Sequence, residues 1–425
     1  MDAGSKGRSL KVQPGNFRDR LGALPADDLT HGLFPYPARL LRHIPRYFLT
    51  MERSLAPSAV IDPFCGSGTV LVEAALQGLK ALGIDQNPMA ALISRVKTTP
   101  LPPGSLEAAG RSVIEAANKA NSARATAQSL APWYSPEHLA DLSYIRDSVQ
   151  DVADFEIKRG LELAFALTAR SASQTDRRIP VPVRANHVQG QRSEVASIFE
   201  EFLRQVLFVS NKVDRLPKNW PQPQVLNADA RSSDPWKTLI GQGSVVLLSS
   251  PPYGAAQKYV RSTSLESAWL GFIDDRGPIG IEQGSIGREH IRAQHRAPNL
   301  SSLDGLLVAD ELRDLRNRSA TRADIYDHYY LDMMKVFQNA AALDNMDEVV
   351  LVAGTNVVAG TLMETHEHLS EMISSLGFRL VEVFQDEIRG RTLLTRRKGD
   401  AQPARAEYVH RFVRQDAATS TIFVK

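Results

Sequence analysis

Two short polar stretches of this chain could do chemistry together, because each follows an apolar stretch that is typical of a buried strand. They read DPFCGSGT at residues 62–69 and SPPY at residues 250–253. In the first stretch, Gly66 and Gly68 allow backbone conformations that other residues avoid and let a ligand approach closely. The helix predicted from Thr69 adds free N–H groups and its dipole at the same place, which suits a carboxylate or a phosphate. The G-x-G spacing alone is also compatible with a plain tight turn, and it lacks the third glycine of the dinucleotide fingerprint.

Polar residues also end the next two predicted strands. Asp85 ends KALGID, where a carboxylate is placed to bind ribose hydroxyls. The alternative is a helix cap, since Asp85 or Asn87 could cap the helix that begins at Pro88. Asp229 lies in NADA, where it could accept a hydrogen bond from an adenine amino group or cap the next helix. Three consecutive strand ends of this kind indicate a nucleoside cofactor.

The SPPY stretch predicts a pocket for an aromatic ring that carries an exocyclic amine. Proline has no N–H, so the turn offers acceptors without neighbouring donors. The Ser250 hydroxyl and the Pro251 carbonyl can both accept from one NH2 group, while Tyr253 offers a flat face for stacking. The alternative is an ordinary turn, closed by Pro252, with a packed tyrosine.

The elements that must position these stretches alternate between strands and helices, which predicts an α/β fold with a parallel sheet. The sheet strands are expected at 59–64, 80–85, 225–230, 244–250 and 347–355, followed by closing strands in FRLVEVFQDEI, RTLLTRR and EYVHRFVR. Before the first strand, residues 37–55 have a helical period interrupted at Pro45. The predicted units are a loose N-terminal arm (1–30), a catalytic domain (31–96 and 221–425), a helical insertion (97–220) and, within the catalytic domain, an excursion over the active face (255–325).

Composition narrows the class of protein. The chain has 425 residues and a net charge of +2, so a nucleic-acid partner must be argued from local patches rather than total charge. Its single cysteine, Cys65, excludes an internal disulfide and a multi-cysteine zinc site. We also expect no metal, because His290 and His295 have no convincing third ligand. Without a signal peptide or an apolar run of ~18 residues, a cytoplasmic protein with no membrane contact is expected.

Together these motifs resemble those of the S-adenosylmethionine-dependent amino-methyltransferases of DNA. DPFCGSGT resembles their cofactor motif, GIDQNP their ribose-binding strand end, NADA their adenine-binding position and SPPY their catalytic motif. HGLFPYPARLL (31–41) resembles their N-terminal methionine-binding motif, where Arg39 or Tyr36 would contact the cofactor. The resemblance covers roughly residues 31–95 and 224–400. It implies a Rossmann-like class I methyltransferase fold with a mostly parallel seven-stranded sheet plus the helical insertion.

The resemblance also implies a cofactor, S-adenosylmethionine, and a set of site residues. The catalytic residues would be Ser250, Pro251, Pro252 and Tyr253. The cofactor-binding residues would be Tyr36, Pro37, Asp62, Pro63, Phe64, Gly66, Ser67, Gly68, Thr69, Asp85, Asn87 and Asp229.

The first residue of the catalytic motif indicates which atom of the base is methylated. In this family Ser-Pro-Pro-Tyr is commonest among cytosine-N4 enzymes, whereas Asp or Asn in first place is commonest among adenine-N6 enzymes. We therefore expect methylation of cytosine N4 in a flipped-out base of DNA, with adenine N6 as the first alternative. Cytosine-C5 chemistry needs a cysteine nucleophile, and Cys65 lies in the cofactor turn. An RNA or protein amino-methyltransferase, or a non-catalytic DNA-binding subunit, are further alternatives, and a restriction enzyme is a possible partner.

Several basic stretches are candidates for holding DNA through its phosphates. One lies in IRGRTLLTRRK (388–398), and others lie in residues 169–184 and 285–296, although a solvated surface is the commoner role for any single run. Target recognition is expected in the 97–220 insertion, the 255–325 excursion or both. The predicted DNA-binding residues are Lys258, Tyr259 and Arg261 at the base pocket, and Arg389, Arg391, Arg396 and Arg397 in the basic stretch.

Overall fold

The apolar stretches form strands and helices in the predicted alternation. The structure is a computed structural model that describes residues 11–25, 28–53, 56–124, 128–176, 178–179, 181–184, 195–254, 258–291, 298–387 and 406–415. Its strands are β1 (Gln13–Pro14), β2 (Ala59–Asp62), β3 (Lys80–Asp85), β4 (Gln224–Asn227), β5 (Val245–Ser249), β6 (Met346–Gly354), β7 (Asn356–Val358), β8 (Thr361–Met363), β9 (Phe378–Glu387) and β10 (Ala406–Arg414). Its helices are α1 (Phe17–Leu21), α2 (His43–Thr50), α3 (Thr69–Leu76), α4 (Pro88–Thr98), α5 (Ser105–Lys119), α6 (Pro136–Gln150), α7 (Phe155–Ala172), α8 (Ile198–Val213), α9 (Lys258–Arg261), α10 (Ser264–Trp269), α11 (Ile279–Gly284), α12 (Leu307–Arg318), α13 (Ala320–Ala341) and α14 (Thr365–Ser375).

One sheet organises the molecule, with the strand order β1-β9-β10-β6-β5-β2-β3-β4. The pairs β5–β6, β2–β5, β2–β3 and β3–β4 are parallel, and β10 runs antiparallel to both of its neighbours. The strands β2 and β5 are buried along their whole length, as expected when helices cover both faces of a parallel sheet. This arrangement confirms the predicted Rossmann-like α/β fold.

The sheet has eight strands rather than the predicted seven, because part of the predicted N-terminal arm adds an edge strand. Residues 13 and 14 pair in parallel with β9 at the sheet edge. Phe17 is fully buried, and its ring packs at 5.2–5.8 Å from the rings of Tyr47, Phe48 and Phe384. Burial of one aromatic side chain, worth about 2 kcal/mol, fixes a segment that has no strand-like alternation of its own.

The helix before β2 differs slightly from the prediction. The sequence predicts an interruption at Pro45, whereas α2 begins at His43 and places Pro45 in its first turn. A proline is tolerated there because the first N–H groups of a helix have no partner within the helix.

Within residues 97–220, the described part contains the helices α5 to α8, which pack on one another and on α4. The excursion after β5 packs on them as well, because the Trp269 ring lies 5.6 Å from both Tyr134 and Phe165. Whether the helices form a separate domain with a role in target recognition stays a prediction. None of the helices in the described ranges combines the length and apolar character that crossing a membrane requires.

Candidate functional site

The carboxyl ends of β2 and β5 lie side by side, which brings together the two stretches that the sequence singles out. The residues 62–69 (the glycine turn) follow β2, and Ser250–Tyr253 (the double-proline turn) follow β5. The strands pair with Ile61 opposite Leu247, so both turns leave the same sheet edge. Ligands of open α/β sheets bind at this edge.

The buried residues Asp62 and Ser249 join the two turns directly. The Ser249 hydroxyl donates to Oδ1 of Asp62 at 2.5 Å, and the Phe64 N–H donates to the same oxygen at 3.1 Å. Burial raises the pKa of Asp62 to about 7, although both hydrogen bonds act to lower it. Asp62 therefore lies behind the site and holds the turns together.

The glycine turn is fixed by Asp85 at the end of β3. Gly66 and Gly68 both have left-handed φ values, of 50° and 77°. The Gly66 N–H donates to Asp85 Oδ2 at 2.9 Å, and the Asn87 N–H donates to Oδ1 at 2.8 Å. Burial raises the pKa of Asp85 to about 6. Asp85 lines the cavity described below, and its carboxylate can accept more than these two hydrogen bonds, so it can accept from a ligand hydroxyl.

Asn87 serves as the helix cap that the sequence offered as an alternative. Its Oδ1 accepts from the Met89 N–H at 3.1 Å, with Pro88 in the first turn of α4. The Asn87 amide also donates to the Tyr36 hydroxyl at 3.3 Å. Capping by Asn87 leaves Asp85 available for the ligand role.

One cavity collects most of the predicted site residues. Arg39, which the N-terminal motif indicates, also lines it. The other predicted site residues that line this cavity are Tyr36, Pro37, Pro63, Phe64, Gly66, Asp85, Asn87, Asp229, Ser250, Pro251, Pro252, Tyr253 and Tyr259.

Other predicted residues lie outside the lining. Ser67 and Thr69 are buried, and Gly68 packs so closely on α4 that a Cβ would lie 2.8 Å from Ser94 Oγ. These positions shape the glycine turn from behind. Arg261, expected to line the base pocket, does not: its Nε lies 2.6 Å from Glu282 Oε1. The side chain of Lys258 and the residues Arg389, Arg391, Arg396 and Arg397 lie outside the described part of the structure.

Asp229 reaches the cavity but is paired with an arginine. Arg231 Nη2 donates to Asp229 Oδ2 at 2.6 Å, and Arg231 Nε donates to both carboxylate oxygens. Although partial burial acts in the opposite direction, these hydrogen bonds lower the pKa of Asp229. Asp229 is therefore an ionised acceptor shared with Arg231.

Glu407 is a cavity residue that the sequence reasoning missed. It lies at the start of β10, and because β10 is antiparallel, the beginning of this strand meets the carboxyl ends of the others. The Tyr253 hydroxyl donates to Glu407 Oε1 at 3.4 Å. The same hydroxyl lies 3.2 Å from where a Cβ on Gly354 would be, so that glycine leaves room for the Tyr253 ring. Only the register of the last strand could have revealed this position.

A second missed group is Ser285–Gly287, which also lines the cavity and which we call the roof segment. Gly287 has a φ of 78°, and a Cβ on it would lie 2.5 Å from the Tyr253 carbonyl oxygen. The roof segment therefore presses directly on the double-proline turn. The sequence places residues 255–325 over the active face and 285–296 among the basic stretches, but it does not indicate that residues 285–287 line the cavity.

The N-terminal motif is held against the glycine turn by one buried carboxylate, Glu73 on α3. His31 Nε2 and Arg42 Nε both lie 2.9 Å from Oε1, and Arg46 Nε lies 2.5 Å from Oε2. Burial alone would raise the pKa of Glu73, yet the hydrogen bonds from His31 and Arg46 bring it below its usual value. This cluster places Tyr36 and its neighbours at the cavity.

The basic stretches that the structure describes are largely paired within the chain. Arg170 Nη1 lies 2.7 Å from Glu266, Arg178 Nη2 lies 2.7 Å from Asp176, and Arg288 Nη1 lies 2.8 Å from Asp332. Their role in DNA binding stays a prediction. No group of three or more His, Cys, Asp or Glu side chains within the described ranges is arranged to hold a metal ion.

Comparisons with known proteins match this site to methyltransferases. The family described as UPF0020, RMKL-like, methyltransferase domain matches residues 33–131, which include most of the N-terminal motif, the glycine turn and Asp85. The methyl donor of such domains is S-adenosylmethionine.

Two curated relatives are type II methyltransferases. M.MvaI of Kocuria varians is 25% identical over 278 residues, which are 59% of this chain and 60% of the relative. M.MjaII of Methanocaldococcus jannaschii is 39% identical over 67 residues, which are 16% of this chain and 12% of the relative. The matches thus span less than two thirds of the length of either relative.

Among solved structures, the rRNA methyltransferase aviRa of Streptomyces viridochromogenes is similar at 11% identity. The match covers 94% of this chain and 96% of that chain, with a TM-score of 0.30.

Proposed function

We propose that this chain is an S-adenosylmethionine-dependent methyltransferase and that it methylates the exocyclic N4 of cytosine in DNA. The observation that carries the proposal is the meeting of the glycine turn, Asp85 and the double-proline turn in one cavity. The double-proline turn offers acceptors for an amine, and it lies beside the glycine turn and Asp85, which suit a nucleoside. The type II methyltransferase relatives support DNA as the substrate.

The residues present fit the cofactor. The carboxylate of Asp85 suits ribose hydroxyls, and Asp229 suits the adenine amino group. Gly66 leaves the turn open at the cavity, because a Cβ there would make only ordinary contacts, with Tyr36 at 3.5 Å and the Phe64 carbonyl oxygen at 3.9 Å. When bound, S-adenosylmethionine supplies a methyl group on a sulfonium, so the carbon–sulfur bond breaks and its electron pair passes to sulfur.

The double-proline turn would hold the amine that receives this methyl group. The amine lone pair is delocalised into the base, so it is a poor nucleophile. The two N–H groups of the amine would donate hydrogen bonds to the Ser250 hydroxyl oxygen and the Pro251 carbonyl. These hydrogen bonds favour a pyramidal nitrogen whose lone pair is free to attack. One N–H proton leaves to solvent as the new N–C bond forms. Positioning of the two reactants provides much of the remaining acceleration.

The aromatic residues of the cavity would hold the base outside the duplex. Tyr253 and Tyr259 both line the cavity, and a flipped base can stack on aromatic side chains. The Tyr253 ring is fixed from behind by Gly354 and Glu407, so it can keep one orientation. Lys258, Arg261, Arg389, Arg391, Arg396 and Arg397 remain our proposed DNA contacts, and a restriction enzyme remains a proposed partner.

The test is methyl transfer from labelled S-adenosylmethionine to DNA, RNA or protein, followed by mass spectrometry of digested DNA. We expect N4-methylcytosine. Detection of N6-methyladenine instead would show that adenine N6 is the target. Label in RNA or protein alone would overturn the DNA assignment.

Variants of the double-proline turn test the catalytic assignment. Ser250→Ala and Tyr253→Ala should each lower kcat by at least about tenfold, in line with the loss of one positioning contact. Ser302→Ala, an exposed serine in the same excursion, is the matched control and should retain full activity. Near-normal rates in the first two variants would exclude this turn as the catalytic site.

A further inference from the structure

Two parts of the cavity wall are joined behind it by a network of charged side chains. Arg231 Nη1 lies 2.9 Å from Asp332 Oδ2, and Arg288 Nη1 lies 2.8 Å from the same oxygen. Asp332 is on α13 and is 5% exposed. One buried carboxylate oxygen thus bridges two guanidinium groups that belong to different segments of the chain.

Each end of the network belongs to a different part of the site. At one end Arg231 binds the carboxylate of Asp229, the proposed adenine acceptor. At the other end Arg288 directly follows the roof segment and donates to the Ser285 carbonyl at 3.3 Å. Arg231 also donates to the Gly284 carbonyl at 2.6 Å, immediately before the roof segment. The roof segment is therefore held from both sides by groups that lead back to Asp229.

The roof segment in turn touches the double-proline turn. The left-handed Gly287 lies so close to the Tyr253 carbonyl that a Cβ would approach to 2.5 Å. A shift of the roof segment of a few tenths of an ångström would be transmitted to Tyr253, since close-packed interiors pass on such displacements.

We propose that Asp332, with Arg231 and Arg288, couples occupation of the adenine end of the cofactor site to the position of the roof segment. A ligand amine at Asp229 shares that carboxylate with Arg231 and so changes how Arg231 divides its donors among Asp229, Asp332 and Gly284. Because hydrogen bonds in one buried network depend on each other, the change reaches Arg288 and the roof segment. The three are positioning residues, and the inference rests on the proposed function where it takes Asp229 as the adenine acceptor and the roof segment as facing the target base.

Hydrogen–deuterium exchange with S-adenosylhomocysteine as the only ligand tests this coupling without DNA. In the wild-type protein, saturating S-adenosylhomocysteine should slow exchange of amides 285–288 by at least about 5-fold, the lower end of typical couplings. Arg288→Ala and Asp332→Asn should abolish this protection while peptides of the glycine turn remain protected. Arg276→Ala is the matched control, since it removes a highly exposed arginine of the same excursion that pairs with Asp274.

The outcomes separate coupling from other effects. Protection of the roof amides that persists in both variants, or that is absent in the saturated wild-type protein, would overturn the proposal. If Asp332→Asn does not fold, Arg288→Ala gives the decisive result, because Arg288 is more exposed than Asp332 and its removal still interrupts the network. Failure of methyl transfer to DNA would refute the proposed function but would leave this exchange result unaffected.

Discussion

Ser249 and Asp62 form a buried hydrogen bond of 2.5 Å between the ends of two adjacent parallel strands. Asp62 begins the glycine turn, and Ser249 immediately precedes the double-proline turn. Together with the backbone pairing of β2 and β5, this contact fixes the distance between the glycine turn and the double-proline turn.

Removal of the Ser249 hydroxyl should loosen this junction. We expect Ser249→Ala to lower the free energy of unfolding by about 1–3 kcal/mol, because a buried carboxyl group loses a donor. Methyl transfer should fall as well, even at temperatures where the variant is fully folded. Chemical denaturation and single-turnover kinetics measure the two effects. Ser148→Ala removes a hydroxyl that bonds only within its own helix and should change stability by less than about 0.5 kcal/mol.

Cofactor affinity should depend on pH through Asp85. Its pKa of about 6 means that the carboxylate is increasingly protonated below this pH, and a protonated group accepts ribose hydroxyls less well. Affinity for S-adenosylhomocysteine, measured by calorimetry, should therefore rise from pH 5 to pH 7. Asp85→Asn should bind about 10- to 100-fold more weakly and lose most of this dependence. An unchanged pH profile in Asp85→Asn would contradict the assignment, and Asp314→Asn on the exposed side of α12 provides the control.

Two glycines of the excursion separate backbone strain from steric contact at the site. Gly287 and Gly277 have similar φ values of 78° and 75°, but a Cβ on Gly277 would meet nothing within 4 Å. Both alanine variants should lose about 1 kcal/mol of stability from the left-handed backbone. Only Gly287→Ala should also displace the Tyr253 carbonyl and lower kcat, by at least about tenfold. Equal kcat values in the two variants would show that the roof segment does not set the double-proline turn.

A buried histidine pair should make the fold sensitive to acid. His366 Nδ1 and His410 Nε2 are 3.3 Å apart, and burial lowers the pKa of His366 to about 4 and of His410 to about 3. In the unfolded chain these two histidines bind protons below a pKa of about 6.5. In the folded chain they bind protons only at much lower pH. Stability should therefore fall as the pH decreases from about 6.5 to about 4.

Replacement of His410 tests this expectation. His410→Leu should show a smaller loss of unfolding free energy between pH 6.5 and pH 4 than the wild-type protein. His138→Gln, a partly exposed histidine on α6, should leave the pH dependence unchanged. The expectation is wrong if His410→Leu and the wild-type protein lose stability in parallel over this range.

The strands and the two turns could be predicted because their signals are local. Residues 80–85 form β3 with the predicted bounds, and Asn87 caps α4 where the asparagine–proline pair indicates it. A buried parallel strand is a continuous apolar run, and a glycine or double-proline turn interrupts it in a few residues.

The missed features depend on pairing between distant parts of the chain. Glu407 enters the cavity only because β10 is antiparallel with a particular register, and β1 is too short to show any alternation. In the same way, a run of arginines in the sequence does not reveal that Asp332 binds Arg231 and Arg288 inside the fold.

The position of β5 in the chain has a consequence for how the protein folds. Asp62 and Ser249 are separated by 187 residues, and the helices α5 to α8 lie between them. The middle of the sheet therefore cannot close during synthesis until the whole helical segment has emerged from the ribosome. Closing so large a loop costs entropy before any contact compensates for it, and such long-range pairing is slow. The glycine turn and the double-proline turn should accordingly come together in one late folding step. A ligand that contacts both turns therefore stabilises only the protein in which this step is complete.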